Sequence, residues 1–226
     1  MIIAERKPFA EIEAACRPYR RLLVVGCGTC VAVCLTGGEK EAHVLASQLD
    51  LAAQIAGREQ DFAVACLERQ CDREFLDTLE EQAEGAEALV SLACGAGIQF
   101  LAERFAPLPV LAGVNTTMIG INRQVGLWEE KCRACRDCLL TLTGGVCPVS
   151  LCPKGMLNGP CGGSRDGRCE TDPERDCAWT LIWNRLEAAG RLEQLTAVVP
   201  PRSHGPAGLP GRQSHPAYLR RYEAHD

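Results

Sequence analysis

Short apolar runs alternate with amphipathic segments over the first half of the chain. Apolar runs at 21–25, 61–67, 88–93 and 109–114 predict buried strands. The segments between them predict helices. The first helix begins at a capping box that runs from Thr36 to Glu39. Strands that alternate with helices at this spacing predict an α/β fold with a parallel sheet and right-handed crossovers.

The α/β region is predicted to span residues 21–127 as a small flavodoxin- or Rossmann-like domain. The preceding residues 1–20 are expected to form a short lead-in helix. Asp72 is predicted to cap the helix that follows the second strand. The first helix is predicted to bury one apolar face, with Gly57 at its C-terminal end. That face comprises Ala42, Leu45, Leu49, Ala52 and Ala56.

The pattern changes from residue 128 onward. Residues 128–199 are rich in Cys, Gly and Pro and show almost no periodicity before a last helix at about 178–190. That helix has Trp179, Ile182, Leu186 and Ala189 on one side. A segment of this composition buries little apolar surface, so its order is expected to come from cross-links or metal. Residues 200–226 are predicted to be a flexible tail.

The composition points to metal chemistry. The chain has 226 residues, of which 15 are cysteines and 4 are histidines, and a formal net charge of −5. This charge argues against nucleic-acid binding. We find neither an apolar stretch of membrane-spanning length nor a secretory signal, so a cytoplasmic location is expected. In a reducing compartment, clustered cysteines bind metal or perform redox chemistry more often than they form disulfides.

A first thiol group is predicted at the edge of the parallel sheet. Loops that leave the carboxyl ends of parallel strands meet at one edge, which is where ligands bind. Three such loops carry the first thiol group, which comprises Cys27, Cys30, Cys34, Cys71 and Cys94. Four ligands are needed, and the expected set is Cys27, Cys30, Cys71 and Cys94, with Cys34 as a substitute. Cys66 lies within a strand and Cys16 is isolated, so both are expected to pack in the core.

A second thiol group follows the α/β region. Its eight members are Cys132, Cys135, Cys138, Cys147, Cys152, Cys161, Cys169 and Cys177. The C-x2-C-x2-C spacing with a later Cys-Pro approximates the ferredoxin pattern, although the interval to Cys147 is longer than in ferredoxins. Cys132, Cys135 and Cys138 form a short cysteine-rich loop, here called the cysteine knuckle. Three cysteines in one knuckle favour an iron–sulfur cluster over zinc, because zinc sites usually take two ligands from each knuckle. The later set, Cys152, Cys161, Cys169 and Cys177, fits either metal.

No catalytic machinery is evident, since no His lies near a Cys or Ser in a triad-like arrangement. That pattern indicates a protein that carries electrons. Two rival interpretations remain: a zinc-stapled structural or docking subunit, and a redox sensor that uses reversible disulfides.

Several stretches resemble one family. VVGCGTCVAVCLTGGEKE at 24–41, SLACGAGIQFLAERF at 91–105 and GGVCPVSLCPKGMLNGPCGG at 144–163 are similar to the small Cys-rich subunit of bacterial methylenetetrahydrofolate reductase. RQCD at 69–72, VNTTMIGI at 114–121 and DGRCETDPERDCAW at 166–179 add to the resemblance. The likeness covers roughly residues 20–200.

The resemblance implies an accessory role in an oxidoreductase complex. The partner would be a flavin-containing catalytic subunit that reduces 5,10-methylenetetrahydrofolate to 5-methyltetrahydrofolate in one-carbon metabolism of the Wood–Ljungdahl type. This chain would hold two or three iron–sulfur clusters of the 4Fe–4S type, with Zn²⁺ as an option at one site. It would receive electrons from an upstream donor protein and pass them to the partner's flavin. The last helix, through Trp179 or Trp183, and the tail are expected to dock on that partner.

Overall fold

A computed structural model describes residues 1–200, 211, 213 and 215, and contacts divide the chain into two units. Unit 1 comprises Met1–Lys131 and unit 2 begins at Cys132. The domain boundaries drawn from the sequence stay predictions. The predicted flexible tail lies outside the described residues apart from positions 200, 211, 213 and 215. Within the described residues, no helix is both long and apolar enough to cross a membrane.

A four-stranded parallel sheet forms the centre of unit 1 and confirms the predicted α/β class. Its strands are β2 (Arg21–Cys27), β3 (Asp61–Leu67), β4 (Ala88–Ser91) and β5 (Val110–Ala112). Their order is β3-β2-β4-β5, so successive strands are added on opposite sides of β2. The carboxyl ends on either side of such a switch point form a crevice that suits ligands.

Helices cover both faces of this sheet. They are α2 (Cys30–Val33), α3 (Glu39–Ile55), α4 (Arg73–Asp77), α5 (Glu80–Ala83) and α6 (Gly95–Arg104). Leu22 and Val24 belong to one apolar cluster, whereas Leu23 and Val25 belong to another, because successive strand residues face opposite sides. The buried face of α3 is Ala42, Leu45, Ala46, Leu49 and Ala53, so Ala52 and Ala56 lie outside the predicted face.

The start of α3 differs in detail from the prediction. The cap lies two residues later and has only one of the two hydrogen bonds of a capping box, in which the Gly38 amide donates to the Glu41 carboxylate at 3.0 Å. The Thr36 hydroxyl instead donates to the Val31 carbonyl, which helps close the turn after α2. Asp72 caps α4 as predicted, with its side chain accepting from the Glu74 amide. Gly57 follows α3 with φ of +65°, the left-handed conformation expected there.

The first residues form a strand as well as a helix. β1 (Ile2–Arg6) precedes α1 (Phe9–Cys16) and pairs antiparallel with β6 (Val114–Gln124), which pairs with β7 (Leu127–Cys132). The predicted helix within residues 1–20 is present as α1, but the prediction missed the strand β1 that precedes it. Val114, predicted to end the fourth parallel strand, instead begins β6. Gly113 permits this change of sheet, because a Cβ there would lie 2.5 Å from Leu92 Cδ2.

Unit 2 contains little regular structure before its last helix. Its described elements are α7 (Pro148–Leu151), β8 (Arg168–Cys169), β9 (Asp172–Asp176), α8 (Ala178–Ala188) and a 3₁₀ turn at Leu192–Thr196. One apolar cluster surrounds α8, which buries Trp179, Ile182 and Leu186 as predicted. Ala189 is exposed and lies outside this face.

Candidate metal centre

Three neighbouring strand ends carry the first thiol group. Cys27 is the last residue of β2, and Cys30 begins α2 immediately beyond it. Cys71 lies in the loop between β3 and α4, and Cys94 is the N-cap of α6 after β4. Because these strands are parallel neighbours, their carboxyl ends lie on the same edge of the sheet.

Electrostatics shows which of these thiols lie near one another. The pKa of Cys71 is raised above its ordinary value, first by burial and then by repulsion from Cys94, Cys27 and Cys30. These are the three residues that the sequence grouped with Cys71. Gathered thiolates repel one another, and a cation between them would relieve that repulsion.

Cys34 faces a different neighbourhood. Its thiol donates to the Ile2 carbonyl of β1 at 3.5 Å. Burial is the main cause of its raised pKa, and Cys30 is the only thiol among the neighbours that shift it. Cys34 is 3% exposed, and Cys27 is also buried, at 7%. The choice of four ligands among these five cysteines stays a prediction.

The two expected core cysteines behave differently. Cys16 is 1% exposed within the apolar cluster of α1 and α3, and burial raises its pKa to about 12, so its core role is confirmed. The prediction that Cys66 packs in the core is wrong, because this thiol is exposed. β3 is the edge strand of its sheet, and the paired residue on β2 is Gly26, so neither flank fully covers Cys66.

Sequence reasoning missed two polar residues next to the first thiol group. Gln70 and Ser91 are both fully buried and hydrogen-bond each other between the ends of β3 and β4. A glutamine in a loop has no sequence signal for burial, because this residue type is mostly exposed. The only hint is its position directly before Cys71, after a strand end.

The cysteine knuckle of unit 2 has a backbone suited to surrounding a cluster. The Ala134 amide donates to the Cys132 sulfur at 3.3 Å, and the Cys135 thiol donates to the Asp137 carbonyl at 3.6 Å. Ala134 and Arg136, which flank Cys135, have φ of +50° and +64°. Left-handed residues turn successive amides toward one side, as in backbone nests that bind anions.

The remaining thiols of the second group occupy two surroundings. Cys147 and Cys152 bracket α7, and Cys152 packs with Cys177, the N-cap of α8, in the apolar cluster. Cys161 is exposed in a glycine-rich loop, and Cys169 lies on β8. The hydroxyl and backbone of Thr171 lower the pKa of Cys169 through hydrogen bonds, the hydroxyl contact being 3.2 Å.

The donor set fits the proposed groups chemically. Four thiolates satisfy either an iron–sulfur cluster or a structural zinc ion. Within residues 1–200, 211, 213 and 215, no three His, Cys, Asp or Glu side chains are grouped so as to hold a metal ion. The ligand role of the thirteen cysteines in the two thiol groups stays a prediction.

An apolar cavity of about 390 Å³ lies within unit 2. Trp179 and Trp183 of α8 line it together with Val199, whose amide and carbonyl are held by the Asn158 side chain at 2.7 and 3.0 Å. Trp179 is buried and donates from Nε1 to the Met156 carbonyl, whereas Trp183 is 49% exposed. Trp183 is therefore the one of the two tryptophans that is available to a partner.

Comparison with known proteins finds one likeness, and it lies in the second half of the chain. Residues 111–205 match the family model described as methylene-tetrahydrofolate reductase C terminal. This match begins in β5 and includes all eight cysteines of the second thiol group. Neither curated proteins nor solved structures give a match. Over residues 111–205, the chain is therefore similar to the family described as methylene-tetrahydrofolate reductase C terminal.

Proposed function

We propose that the chain is an iron–sulfur electron-transfer subunit that serves a flavin-containing methylenetetrahydrofolate reductase. The observation that carries the proposal is the family match, since it spans the entire second thiol group. The surroundings of Cys71 add support from outside the matched residues. Like the resemblance noted from the sequence, the match links the chain to reduction of 5,10-methylenetetrahydrofolate.

The first thiol group would hold one cluster through Cys27, Cys30, Cys71 and Cys94. An iron–sulfur cluster supplies one-electron transfer at a potential set by burial, net charge and hydrogen bonds to its sulfurs. The chain buries Cys27 beside the sheet, partly buries Cys30 and Cys94, and leaves Cys71 exposed, so the cluster would lie close to the protein surface. It also supplies rigidity, since each thiol follows the end of a strand in a packed sheet.

The second thiol group would hold one or two further sites. Cys132, Cys135 and Cys138 would share a cluster with one later cysteine, and the Ala134 amide already donates toward the Cys132 sulfur. Such amide hydrogen bonds tune the potential of a cluster. The set Cys152, Cys161, Cys169 and Cys177 would hold a further cluster or Zn²⁺. With one site near a donor protein and another near the flavin, the chain would relay electrons in the cytoplasm.

Two structural refinements belong to the same proposal. The parallel sheet of unit 1 would be flavodoxin-like, which its strand order supports: numbered within that sheet, the order is 2-1-3-4. The catalytic subunit would dock on the surface beside α8, where Trp183 and Val198 are exposed next to the apolar cavity. Half-exposed tryptophans are the residues most enriched among interface hot spots.

Metal analysis of the full chain tests the central claim. The chain is purified without oxygen, its iron, sulfide and zinc are quantified, and EPR spectra are recorded after dithionite reduction. We expect iron and sulfide for at least two clusters, and Cys71→Ser should lose one of them. Cys66→Ser is the matched control, since this thiol lies on the strand just before the same loop but outside the expected ligand set. A chain that holds zinc alone and gives no EPR signal would contradict the proposal.

The alternative is a zinc-stapled structural or docking subunit. The small apolar cluster of unit 2 favours it there, because eight thiols could close two structural sites around such a core. It leaves the gathering of thiols around Cys71 unexplained. Four zinc-bound thiolates per site, with full binding to the catalytic subunit and no reducible centre, would establish this alternative.

A further inference from the structure

Gln70 is a buried hydrogen-bonding centre directly before Cys71. Its side chain has no solvent exposure. Its Nε2 donates to the Val25 carbonyl at 2.9 Å and to the Gly26 carbonyl at 3.0 Å, at the end of β2. The residue after Gly26 is Cys27. One amide group therefore connects the loop that carries Cys71 to the strand end that carries Cys27.

The same side chain reaches the third loop. Its Oε1 accepts from the Ser91 hydroxyl, the last residue of β4, at 2.6 Å. The Ser91 Oγ in turn accepts the Ala93 amide at 3.3 Å, one residue before Cys94. The start of α6 also packs on Gln70, since a Cβ on Gly97 would lie 3.0 Å from Gln70 Cβ. The glutamine thus contacts each of the loops that present the first thiol group.

Only a neutral amide completes this network. The Gln70 Nε2 donates to two carbonyl oxygens, of which that of Val25 also accepts the Leu92 amide at 2.9 Å, and its Oε1 accepts from one hydroxyl, which together match the hydrogen-bonding capacity of glutamine. A methionine of similar length would leave both carbonyls and the hydroxyl without these partners, and a glutamate would place a carboxylate against two carbonyl oxygens. Glutamine is therefore required at position 70 for its hydrogen bonds and not only for the volume that it fills.

We propose that Gln70 is the positioning residue of the first thiol group, fixing the relative placement of Cys27, Cys71 and Cys94 through its three hydrogen bonds. This inference rests on the proposed function, because it assigns these thiols to one bound cluster. Residues that orient metal ligands from behind hold the geometry that the metal requires, and replacing one commonly lowers metal retention about 10–100-fold.

Unit 1 offers a matched control in Gln60. Its Nε2 also donates to two backbone carbonyls, those of Cys16 at 2.9 Å and Tyr19 at 2.7 Å. Gln60 lies just before β3, at the opposite end of the strand from Gln70. Gln60 is partly buried, whereas Gln70 is fully buried, but both Gln60→Met and Gln70→Met remove two hydrogen bonds from a side-chain amide to backbone carbonyls. Only the second substitution disturbs the strand ends that carry the thiols.

The experiment follows iron release from the anaerobically purified full chain to a ferrous-iron chelator. The kinetic phase that disappears in Cys71→Ser defines the iron of the first thiol group. We expect Gln70→Met to accelerate that phase about 10–100-fold. The other phases should stay unchanged, and Gln60→Met should remain within about twofold of the wild type. Ser91→Ala, which removes only one hydrogen bond to Gln70, should give a smaller acceleration.

The outcomes separate the two levels of the proposal. If Cys71→Ser removes a phase but Gln70→Met releases it at the wild-type rate, the positioning role is overturned while the proposed function stands. If Cys71→Ser releases iron as the wild type does, the cluster assignment fails and the positioning role fails with it. Equal acceleration by Gln60→Met and Gln70→Met would also overturn the inference. Should Gln70→Met not fold, a wild-type rate in Ser91→Ala overturns it.

Discussion

Unit 1 surrounds its parallel sheet with two apolar clusters, whereas the described part of unit 2 has one, centred on α8. In unit 1, packed strands place the thiols at an edge that would exist without them. In unit 2, most residues before α8 lie in turns and loops, and several cysteines are exposed. The contrast suggests that in unit 1 the fold arranges the ligands, while in unit 2 the ligands would arrange the fold.

Metal removal should produce the largest difference between the units. After anaerobic chelation, we expect amides in residues 132–177 to lose their protection from hydrogen exchange, because this segment lacks a sufficient core of its own. Amides of β2, β3 and β4 should keep theirs. Hydrogen exchange followed by mass spectrometry measures both in one sample. Retained protection throughout unit 2 would show that its fold does not depend on metal.

Truncating a buried apolar side chain should lower the free energy of unfolding by a similar amount in either unit, but the region that becomes open to proteolysis should differ. Ile182 in α8 and Leu89 in β4 are both fully buried. Replacing either by alanine should lower the free energy of unfolding by about 2–5 kcal/mol. In unit 2 this loss falls on a single small cluster, so Ile182→Ala should expose the whole unit to limited proteolysis, while Leu89→Ala should leave unit 2 intact. Equal protease resistance in the two variants would weaken the comparison.

Partner binding should map to unit 2. Trp183→Ser should weaken binding to the catalytic subunit about tenfold or more, as expected for an interface tryptophan that costs about 2 kcal/mol when truncated. Leu51→Ser is the control, since Leu51 is an exposed apolar residue on α3 of unit 1. Surface plasmon resonance with the metal-loaded chain measures both variants. A larger effect of Leu51→Ser would place the interface on unit 1.

The sequence predicted the parallel strands well because their burial is local information. Strands covered on both faces are continuous apolar runs, and β2 and β4, which are buried almost throughout, begin at the predicted residues 21 and 88. β1 was missed because its partner β6 is more than 100 residues away, and nothing in residues 2–6 signals that pairing. The rule for parallel sheet edges predicted that Cys27, Cys71 and Cys94 follow neighbouring strand ends, and the order of β3, β2 and β4 agrees with it.

The details that escaped prediction depend on neighbours that only the fold supplies. Cys66 is a strand residue like Val64, but it lies at the end of an edge strand opposite a glycine. Gln70 is buried because three strand ends meet around it. In unit 2 the spacing of the cysteines predicts donors but not their pairing into sites, since irregular loops carry no periodicity to order them.

The smallest expected effect is the contribution of Cys16 to the pH dependence of the free energy of unfolding. Measuring it tests whether the Cys16 thiol is buried in the core of unit 1. Its pKa is raised from 9.0 to about 12 because burial disfavours the thiolate. Below pH 9 the thiol is protonated in both the folded and the unfolded chain. Between pH 9 and 12 only the unfolded chain loses this proton, so stability falls as pH rises through that window.

At pH 9.5 this contribution is on the order of 0.8 kcal/mol, since an unfolded thiol with a pKa of 9.0 is largely ionised. Cys16→Val should therefore reduce the loss of unfolding free energy between pH 8 and 9.5, measured by urea denaturation with metal removed. Cys66→Val is the comparison, because Cys66 is exposed: although partial burial and the charges of Glu39, Cys27 and Glu41 raise its pKa, its thiol should react faster with iodoacetamide in the native chain than that of Cys16. If Cys16 is alkylated as fast as Cys66, its burial does not withhold it from solvent, and the distinction between the core thiol and the exposed thiol of unit 1 fails.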